Sequence, residues 1–159
     1  MTAIRAIAMP TETAAKVLST MKSPGYGHPA HTEMATGHGP CRHCLQPFRV
    51  GEERRTLFTY NPFYGLAPIP LPGPVFVHAV LCDRFHEDNG YPPALLPYPV
   101  ALDGYDDEQR VVAQRTAAAG TQEETIREMF TDDAVQYVMV RDREAGCFDF
   151  PVQRNREGD

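Results

Sequence analysis

Two short clusters hold the residues of this sequence that are best suited to chemistry. The first is Cys41-Arg42-His43-Cys44, and the second runs from His78 to Cys82. Thiolates and imidazole nitrogens are the ligands with which proteins hold structural zinc, with four of them in a tetrahedron around one ion. A Cys-x2-Cys turn supplies two thiolates, and a histidine and a cysteine from the second cluster complete the set. The spacing therefore predicts a structural zinc site at Cys41, Cys44, His78 and Cys82.

The separation of His78 from Cys82 sets a condition on this prediction. In an extended strand, two Cα atoms four residues apart are about 13 Å from each other, which is too far to share one ion. In a tight turn or a helix, residues four apart lie on the same face. The zinc site therefore requires the strand to end near His78 and the next segment to turn or to form a helix that stops near Asn89-Gly90.

The same residues also allow other interpretations. Free cysteines are often small buried hydrophobic residues, and a disulfide is a further alternative. In a small enzyme, Cys41 would be a nucleophile whose thiol pKa is lowered by Arg42 and His43. Adjacent residues in a turn rarely point at each other, and no Asp or Asn is placed to orient His43, so the structural site is favoured. His43 is also an alternative ligand, and Asp83 and His86 are candidate outer partners of the metal.

Other polar residues give weaker signals. The irregular spacing of His28, His31 and His38 in a glycine-rich loop indicates solvent-facing side chains rather than a second metal site. The acidic run 103–108 is predicted to be a solvated turn, and Cys147 a buried core thiol. The sequence has no phosphate-binding loop, nucleotide fingerprint, Gly-x-Ser-x-Gly elbow or His-Glu-x-x-His motif.

The elements that must position these residues are predicted to be short and mostly extended. Helices are expected at 11–20 and from Thr121, where Glu124 has the spacing of a capping box. Residues 22–40 and most of the proline-rich stretch 62–99 are expected to be loops. The predicted fold class is α+β, a mainly antiparallel sheet of about six strands with two or three short helices, in a single domain of residues 1–159. Strands are expected at 54–60, 75–80, 99–102, 110–116, 135–140 and 147–152.

Composition narrows the choice of partners and compartment. The 159 residues carry a formal net charge of −6 and no basic stripe, which argues against binding to nucleic acid or to an anionic membrane. We find no apolar run long enough for a signal peptide or a membrane span, so a cytoplasmic location is expected. In that compartment, clustered cysteines more often bind metal than form disulfides. The partner is expected to be an unknown protein or small molecule, and the oligomeric state stays open.

The order of a Cys-x2-Cys knuckle, two strands and then ligands at the start of a helix resembles the treble-clef zinc fingers. Such fingers often bind DNA or protein, and the acidic charge of this chain argues against DNA. Further motifs extend the comparison: Pro40–Leu45, Gly51-Glu52, Gly73–His78, and Val140-Arg141 followed by Gly146-Cys147-Phe148.

These motifs resemble those of a bacterial family, the domain of unknown function 1203 family, with a likeness that extends from Arg5–Pro10 to Arg154. The resemblance implies no substrate and no catalytic residue. It also implies that the PCRH and GCF motifs recur among relatives, whereas the positions of Cys44, His78 and Cys82 do not always carry ligand types. A zinc site would then belong to one branch of the family.

The sequence thus predicts a zinc-binding protein that serves as a small binding or regulatory module. One alternative is a small enzyme with a Cys/His/Arg active site near Cys41, walled by the proline-rich stretch. Another is a metal-free domain with buried thiols. A closed site with four protein ligands favours the first function, whereas three protein ligands and a water favour an enzyme.

Overall fold

A computed structural model describes residues 3–63, 65–66, 73–144 and 146–155 of the chain. Within these residues, two α-helices and two antiparallel sheets confirm the predicted α+β class. Two short 3-10 helices, Glu87–Asn89 and Pro93–Leu95, lie between the sheets in sequence. The other elements in chain order are β1 (Ile4–Ala6), α1 (Thr11–Thr20), β2 (His31–Met34), β3 (Arg54–Tyr60), β4 (Gly73–His78), β5 (Val100–Tyr105), β6 (Val111–Ala117), α2 (Gln122–Met129), β7 (Tyr137–Asp142) and β8 (Phe148–Arg154).

The larger sheet has five strands in the order β1-β8-β7-β5-β6. The residues from Tyr137 to Val140 in β7 are all buried. Since successive side chains of a strand point to opposite sides, β7 is buried on both faces. Val138 and Val140 belong to a core that also contains Ile126 of α2. Tyr137 and Met139 pack in a second cluster with Phe63. The five-stranded sheet is therefore covered by apolar side chains on both sides.

The smaller sheet has three strands in the order β2-β3-β4. Val75 and Val77 of β4 are buried together with Phe58 of β3, as the alternating pattern predicts. The cluster also contains Ala14 and Val17, which lie three residues apart on one face of α1. Its remaining members include Cys41 and Cys44.

The structure differs from the predicted elements in several places. Strands β1 and β2 lie in segments for which no strand is predicted. β2 has a polar sequence, all four of its residues are exposed, and only its pairing with β3 makes it a strand. The prediction of a capping box at Thr121 is wrong, because the Thr121 hydroxyl donates to the Ala118 carbonyl (2.8 Å) and makes no hydrogen bond to the start of α2. Most of the proline-rich stretch between Tyr64 and Pro72 lies outside the described residues.

No α-helix in the described part of the chain is long and apolar enough to cross a lipid bilayer. The longer of the two, α1, has 10 residues.

Candidate metal centre

Four side chains from two separate segments converge at one point. One ligand atom each from Cys41, Cys44, His78 and Cys82 lies within 4.8 Å of the other three. The Cys41 and Cys82 sulfurs are 3.7 Å apart, and Nδ1 of His78 is 3.5 Å from the Cys44 sulfur. In a tetrahedron with Zn–S of about 2.3 Å and Zn–N of about 2.0–2.1 Å, those edges are about 3.8 and 3.5 Å. The residues predicted as ligands therefore form a group that can hold a metal ion.

The turn that carries Cys41 and Cys44 is fixed by its backbone. The Leu45 N–H donates to the Cys41 carbonyl (2.9 Å), and the Cys41 N–H donates to the Gln46 carbonyl (3.0 Å). Leu45 has a φ of 53°, in the left-handed region, which closes the turn sharply. The Arg42 N–H donates to the Phe76 carbonyl (3.0 Å), so the turn is attached directly to β4.

The second pair of ligands meets the condition that its spacing imposes. β4 ends at His78, and a bend at residues 79–80 returns the chain so that Cys82 reaches the site. The Phe85 N–H then donates to the His43 carbonyl (2.9 Å), which holds this segment against the Cys41 turn. The chain is thus not extended from His78 to Cys82, and the long Cα–Cα distance that would exclude a shared ion does not arise.

The α-helix expected after Cys82 in a treble-clef arrangement is absent from residues 82–92, which are all described. The first helical residues there are the 3-10 turn Glu87–Asn89. The reason is that the first residues of this segment are bonded to distant parts of the chain. Arg84 donates from Nε to the Met9 carbonyl (3.0 Å) and from Nη2 to the Ala8 carbonyl (2.6 Å).

Two polar side chains outside the ligand set orient the ligands. Oε1 of Glu53 lies 3.4 Å from Nε2 of His78, on the side of the ring away from Cys44. Such a carboxylate fixes the tautomer and orientation of a metal-binding histidine. Nδ1 of His43 is 3.2 Å from the Cys82 sulfur, and its Nε2 is 2.9 Å from the Thr11 hydroxyl. A neutral His43 protonated on Nδ1 would donate to the sulfur and accept from Thr11.

The electrostatics of the cluster favour a bound cation. Hydrogen bonds with Cys44 and Cys82 lower the pKa of the Cys41 thiol. Hydrogen bonds with Cys41 and Cys82 raise the pKa of the Cys44 thiol. Hydrogen bonds with Cys41 and Cys82 raise the pKa of His78 to about 10. The cluster therefore concentrates negative charge on sulfur, and a proton on His78 partly compensates for it. A metal ion would replace these protons.

The geometry weighs against Cys41 as a catalytic nucleophile. Cys41 is fully buried, so no substrate reaches its sulfur without movement of the chain. The imidazole of His43 contacts Cys82 and Thr11 instead of activating Cys41. Desolvation lowers the pKa of His43, which disfavours the charged form that would stabilise a thiolate.

The other sequence predictions have mixed outcomes. His28 and His31 are exposed as expected, but His38 is partly buried and stacks on Tyr98 with ring centroids 4.0 Å apart. Asp83 and His86, the predicted outer partners of the metal, are exposed. The side chains that contact the ligands from outside the set are Glu53 and His43. Cys147 is exposed, so its prediction as a core thiol is wrong.

The acidic run 103–108 is also only partly a solvated turn. Asp103 and Asp106 are buried, and Asp103 pairs with Arg141 (2.7 Å). Asp107 and Glu108 are exposed.

Sequence reasoning missed a buried contact that joins the PCRH and GCF motifs. Nη2 of Arg42 donates to the Phe148 carbonyl (3.0 Å) and lies 3.5 Å from Oδ1 of Asp149. Both charged side chains are more than nine-tenths buried. Arg42 therefore connects the cysteine turn to β8, which gives the two distant motifs a shared structural role. The residues are more than 100 positions apart, and no local pattern marks them as partners.

Comparison with known proteins identifies a family but no function. A family model described as "Protein of unknown function (DUF1203)" matches residues 38–154, which is more than half of the chain. Neither the curated proteins nor the solved structures contain a match to this chain.

Proposed function

We propose that this chain, which belongs to the DUF1203 family, binds one zinc ion as a structural metal within a single-domain binding or regulatory module. The observation that carries the proposal is the convergence of three thiols and one imidazole at distances that match the edges of a zinc tetrahedron. Zinc is the preferred ion for such a set, because thiolate and imidazole are soft or borderline ligands.

The ligand set supports a structural role over a catalytic one. Four protein ligands close the tetrahedron, whereas catalytic zinc keeps one position for water or substrate. Cys41 and Cys44 are buried, and His78 and Cys82 are partly buried beside an open groove. The groove also exposes Val80 and Leu81, so the ion would stiffen a segment that is accessible to a partner.

The test is metal analysis of protein purified without added zinc. We expect about one zinc per chain in the wild type. Cys44→Ser and His78→Ala should each lose most of it, because each removes one of four ligands. Cys147→Ser and His31→Ala are the matched controls, since both residues are exposed and lie outside the ligand group, and both should keep the metal. A wild type without metal, or a Cys44→Ser variant that keeps it, would contradict the proposal.

Thiol labelling separates the zinc site from a metal-free cluster of buried cysteines. Only the exposed Cys147 should react quickly in the native protein. A strong zinc chelator should then make Cys41, Cys44 and Cys82 reactive, because bound thiolates are released. Buried thiols without metal would not respond to the chelator. A disulfide between Cys41 and Cys82 would need a sulfur separation of about 2.05 Å, and the observed 3.7 Å excludes that bond in this conformation.

A further inference from the structure

A second candidate site is bordered by Arg42. It is a partly open cleft of about 100 Å³, which we call the N-terminal cleft, between residues 7–10 and residues 149–151. None of the four proposed zinc ligands lines it. An apolar cavity of about 150 Å³ can hold benzene, so the volume of the cleft suits a ligand of about four to six non-hydrogen atoms.

The positive charges that line this cleft are held in fixed positions. The Arg42 guanidinium donates to the carbonyls of Pro40 and Phe148. The Arg84 guanidinium donates to the carbonyls of Ala8 and Met9 (2.6 and 3.0 Å). Neutral carbonyls orient these two cations without cancelling their charge. Glu87 accepts from Arg84 at 2.9 Å but does not line the cleft.

The carboxyl group that lines the cleft compensates for only part of this charge. Burial raises the pKa of Asp149 to about 7, against the opposing effect of Arg42. The Arg42–Asp149 contact is also incomplete, because Nε of Arg42 and Oδ1 of Asp149 are buried with no hydrogen-bond partner among the described residues. Buried charged atoms in native proteins are nearly always satisfied, by protein, water or a ligand. Two guanidinium groups and one carboxyl group thus line the cleft, and part of the hydrogen-bonding capacity of the Arg42–Asp149 pair is unused.

The rest of the wall is mainly apolar. Val75 of β4 and Phe150 of β8 contribute to it, together with proline rings from both sides. A ligand that matches this environment has one anionic group and a short hydrocarbon part. We propose that the N-terminal cleft binds a small monocarboxylate, with its carboxylate between Arg42 and Arg84 and its hydrocarbon part against Val75 and Phe150.

Binding of such an anion should depend on the protonation of Asp149. The charged and titratable groups around this carboxyl are Arg42 from the cysteine turn, Asp142 from β7, and Tyr91 and His38 from neighbouring loops. An ionised Asp149 repels a carboxylate ligand, whereas the protonated form does not. Affinity should therefore fall as the pH rises above about 7, by up to about tenfold per pH unit.

The first experiment is a titration of isotope-labelled, zinc-loaded protein with sodium propionate, followed by NMR. Backbone amides of residues 7–9 and 149–150 and the Arg42 Nε–H should shift together and saturate at roughly millimolar ligand. Propionamide, which has the same size but no charge, should bind at least about tenfold more weakly. Absence of saturable shifts with propionate, or equal binding of propionamide, would overturn the proposal.

Variants then locate the site. Arg84→Met should weaken propionate binding by about tenfold or more, because one of the two cations is lost. Arg127→Met is the matched control: Arg127 has nearly the same exposure and also pairs with a glutamate close to it in sequence, and it does not line the cleft. Equal effects of the two variants would overturn the assignment.

Asp149→Asn tests the protonation step and is isosteric. It should keep propionate binding at pH 8, where the wild type has lost about tenfold. Loss of binding in Asp149→Asn at both pH 6 and pH 8 would overturn the predicted role of the carboxyl. The zinc content is measured in the same samples, so a failed zinc proposal and a failed cleft proposal remain distinguishable.

Discussion

The two sheets of this protein build their cores in different ways. The five-stranded sheet is covered on both faces, with Ile126 of α2 over one side and Phe63 over the other. The three-stranded sheet has an entirely exposed outer strand, β2, and its core includes two of the four proposed zinc ligands. Burial of large apolar side chains is the main stabilising contribution to folding. We therefore expect the three-stranded region to depend more than the five-stranded one on a metal bound by its cysteines.

The comparison predicts that removal of zinc has the largest effect, and that the effect is regional. A ligand that binds only the native state at a thousand times its Kd stabilises that state by about 4.1 kcal/mol. Chelation should therefore reduce the hydrogen-exchange protection of Phe58, Val75 and Val77 by roughly a thousandfold. Val138 and Val140 in β7 should change by less than about threefold.

Hydrogen exchange with mass-spectrometric or NMR detection, with and without chelator, measures this difference. The spectra of the zinc-loaded protein at the same pH provide the control. Equal loss of protection in both sheets would show that the chain unfolds as one unit, and the proposed division between the two cores would be wrong.

The second prediction concerns the core of the five-stranded sheet. Ile126 is fully buried, and Ile126→Ala leaves a cavity that should cost about 3 kcal/mol of unfolding free energy. Because Ile126 belongs to the other cluster, the variant should still hold one zinc per chain. Urea denaturation measures the stability, and metal analysis of the same preparation measures the zinc. Loss of zinc in a variant that is still folded would contradict the independence of the two regions.

The third prediction concerns the contact between the two regions, the Arg42–Asp149 pair. The folded-state pKa of Asp149 is about 7, which is above its ordinary value of 3.8. The folded state thus binds its proton more tightly than the unfolded state does, so this group makes the protein less stable as the pH rises from about 4 to about 7. At one pKa unit per 1.36 kcal/mol, the loss between pH 5 and pH 8 is about 2–3 kcal/mol.

Asp149→Asn removes this titration. Between pH 5 and pH 8, its unfolding free energy should therefore rise by about 2–3 kcal/mol relative to that of the wild type. The measurement is urea denaturation of both proteins, loaded with zinc, at the two pH values. Asp103→Asn is the matched control, because Asp103 is an equally buried carboxylate whose arginine partner lies at 2.7 Å. If the wild type and Asp149→Asn have the same pH dependence, the raised pKa is wrong.

The parts of the site that could be predicted from sequence are those fixed by local spacing. The Cys41 turn is set by a four-residue motif, and the requirement that β4 end at His78 follows from the reach of an extended chain. The contribution of Glu53 could not be found in this way. It depends on the register of β3 with β4, in which Arg55 pairs with His78, so that Glu53 lies near the same end.

The same limit explains the errors in the fold. β2 has no apolar alternation: all of its residues are exposed, and its pairing with β3 makes it a strand. The segment after Cys82 has helix-like spacing, yet Arg84 and Phe85 form their bonds with other parts of the chain. Both errors arise from bonds with distant parts of the chain, which the residues of one segment do not reveal.

The smallest predicted effect tests the part of the site that sequence did not reveal. Glu53→Gln keeps the shape of the side chain but removes the charge that faces Nε2 of His78 (3.4 Å). Loss of such an outer carboxylate typically lowers metal affinity by about 10- to 100-fold without removing a ligand. We therefore expect Glu53→Gln to bind one zinc per chain at saturation. Its zinc Kd, measured in a competition titration with a chromogenic chelator, should be larger than that of the wild type by that factor.

Glu52→Gln is the control, because Glu52 is the exposed neighbour of Glu53 in sequence. Glu53 also accepts from the Arg49 backbone N–H (2.7 Å), a bond that glutamine can still accept through its carbonyl oxygen. The turn before β3 should thus survive the substitution, and a change in zinc Kd would report on His78. If Glu53→Gln binds zinc as tightly as Glu52→Gln, then the four ligands are oriented by the rigidity of the Cys41 turn and β4 alone. The three-stranded region would then need less support from its polar surroundings than its exposed outer strand suggests.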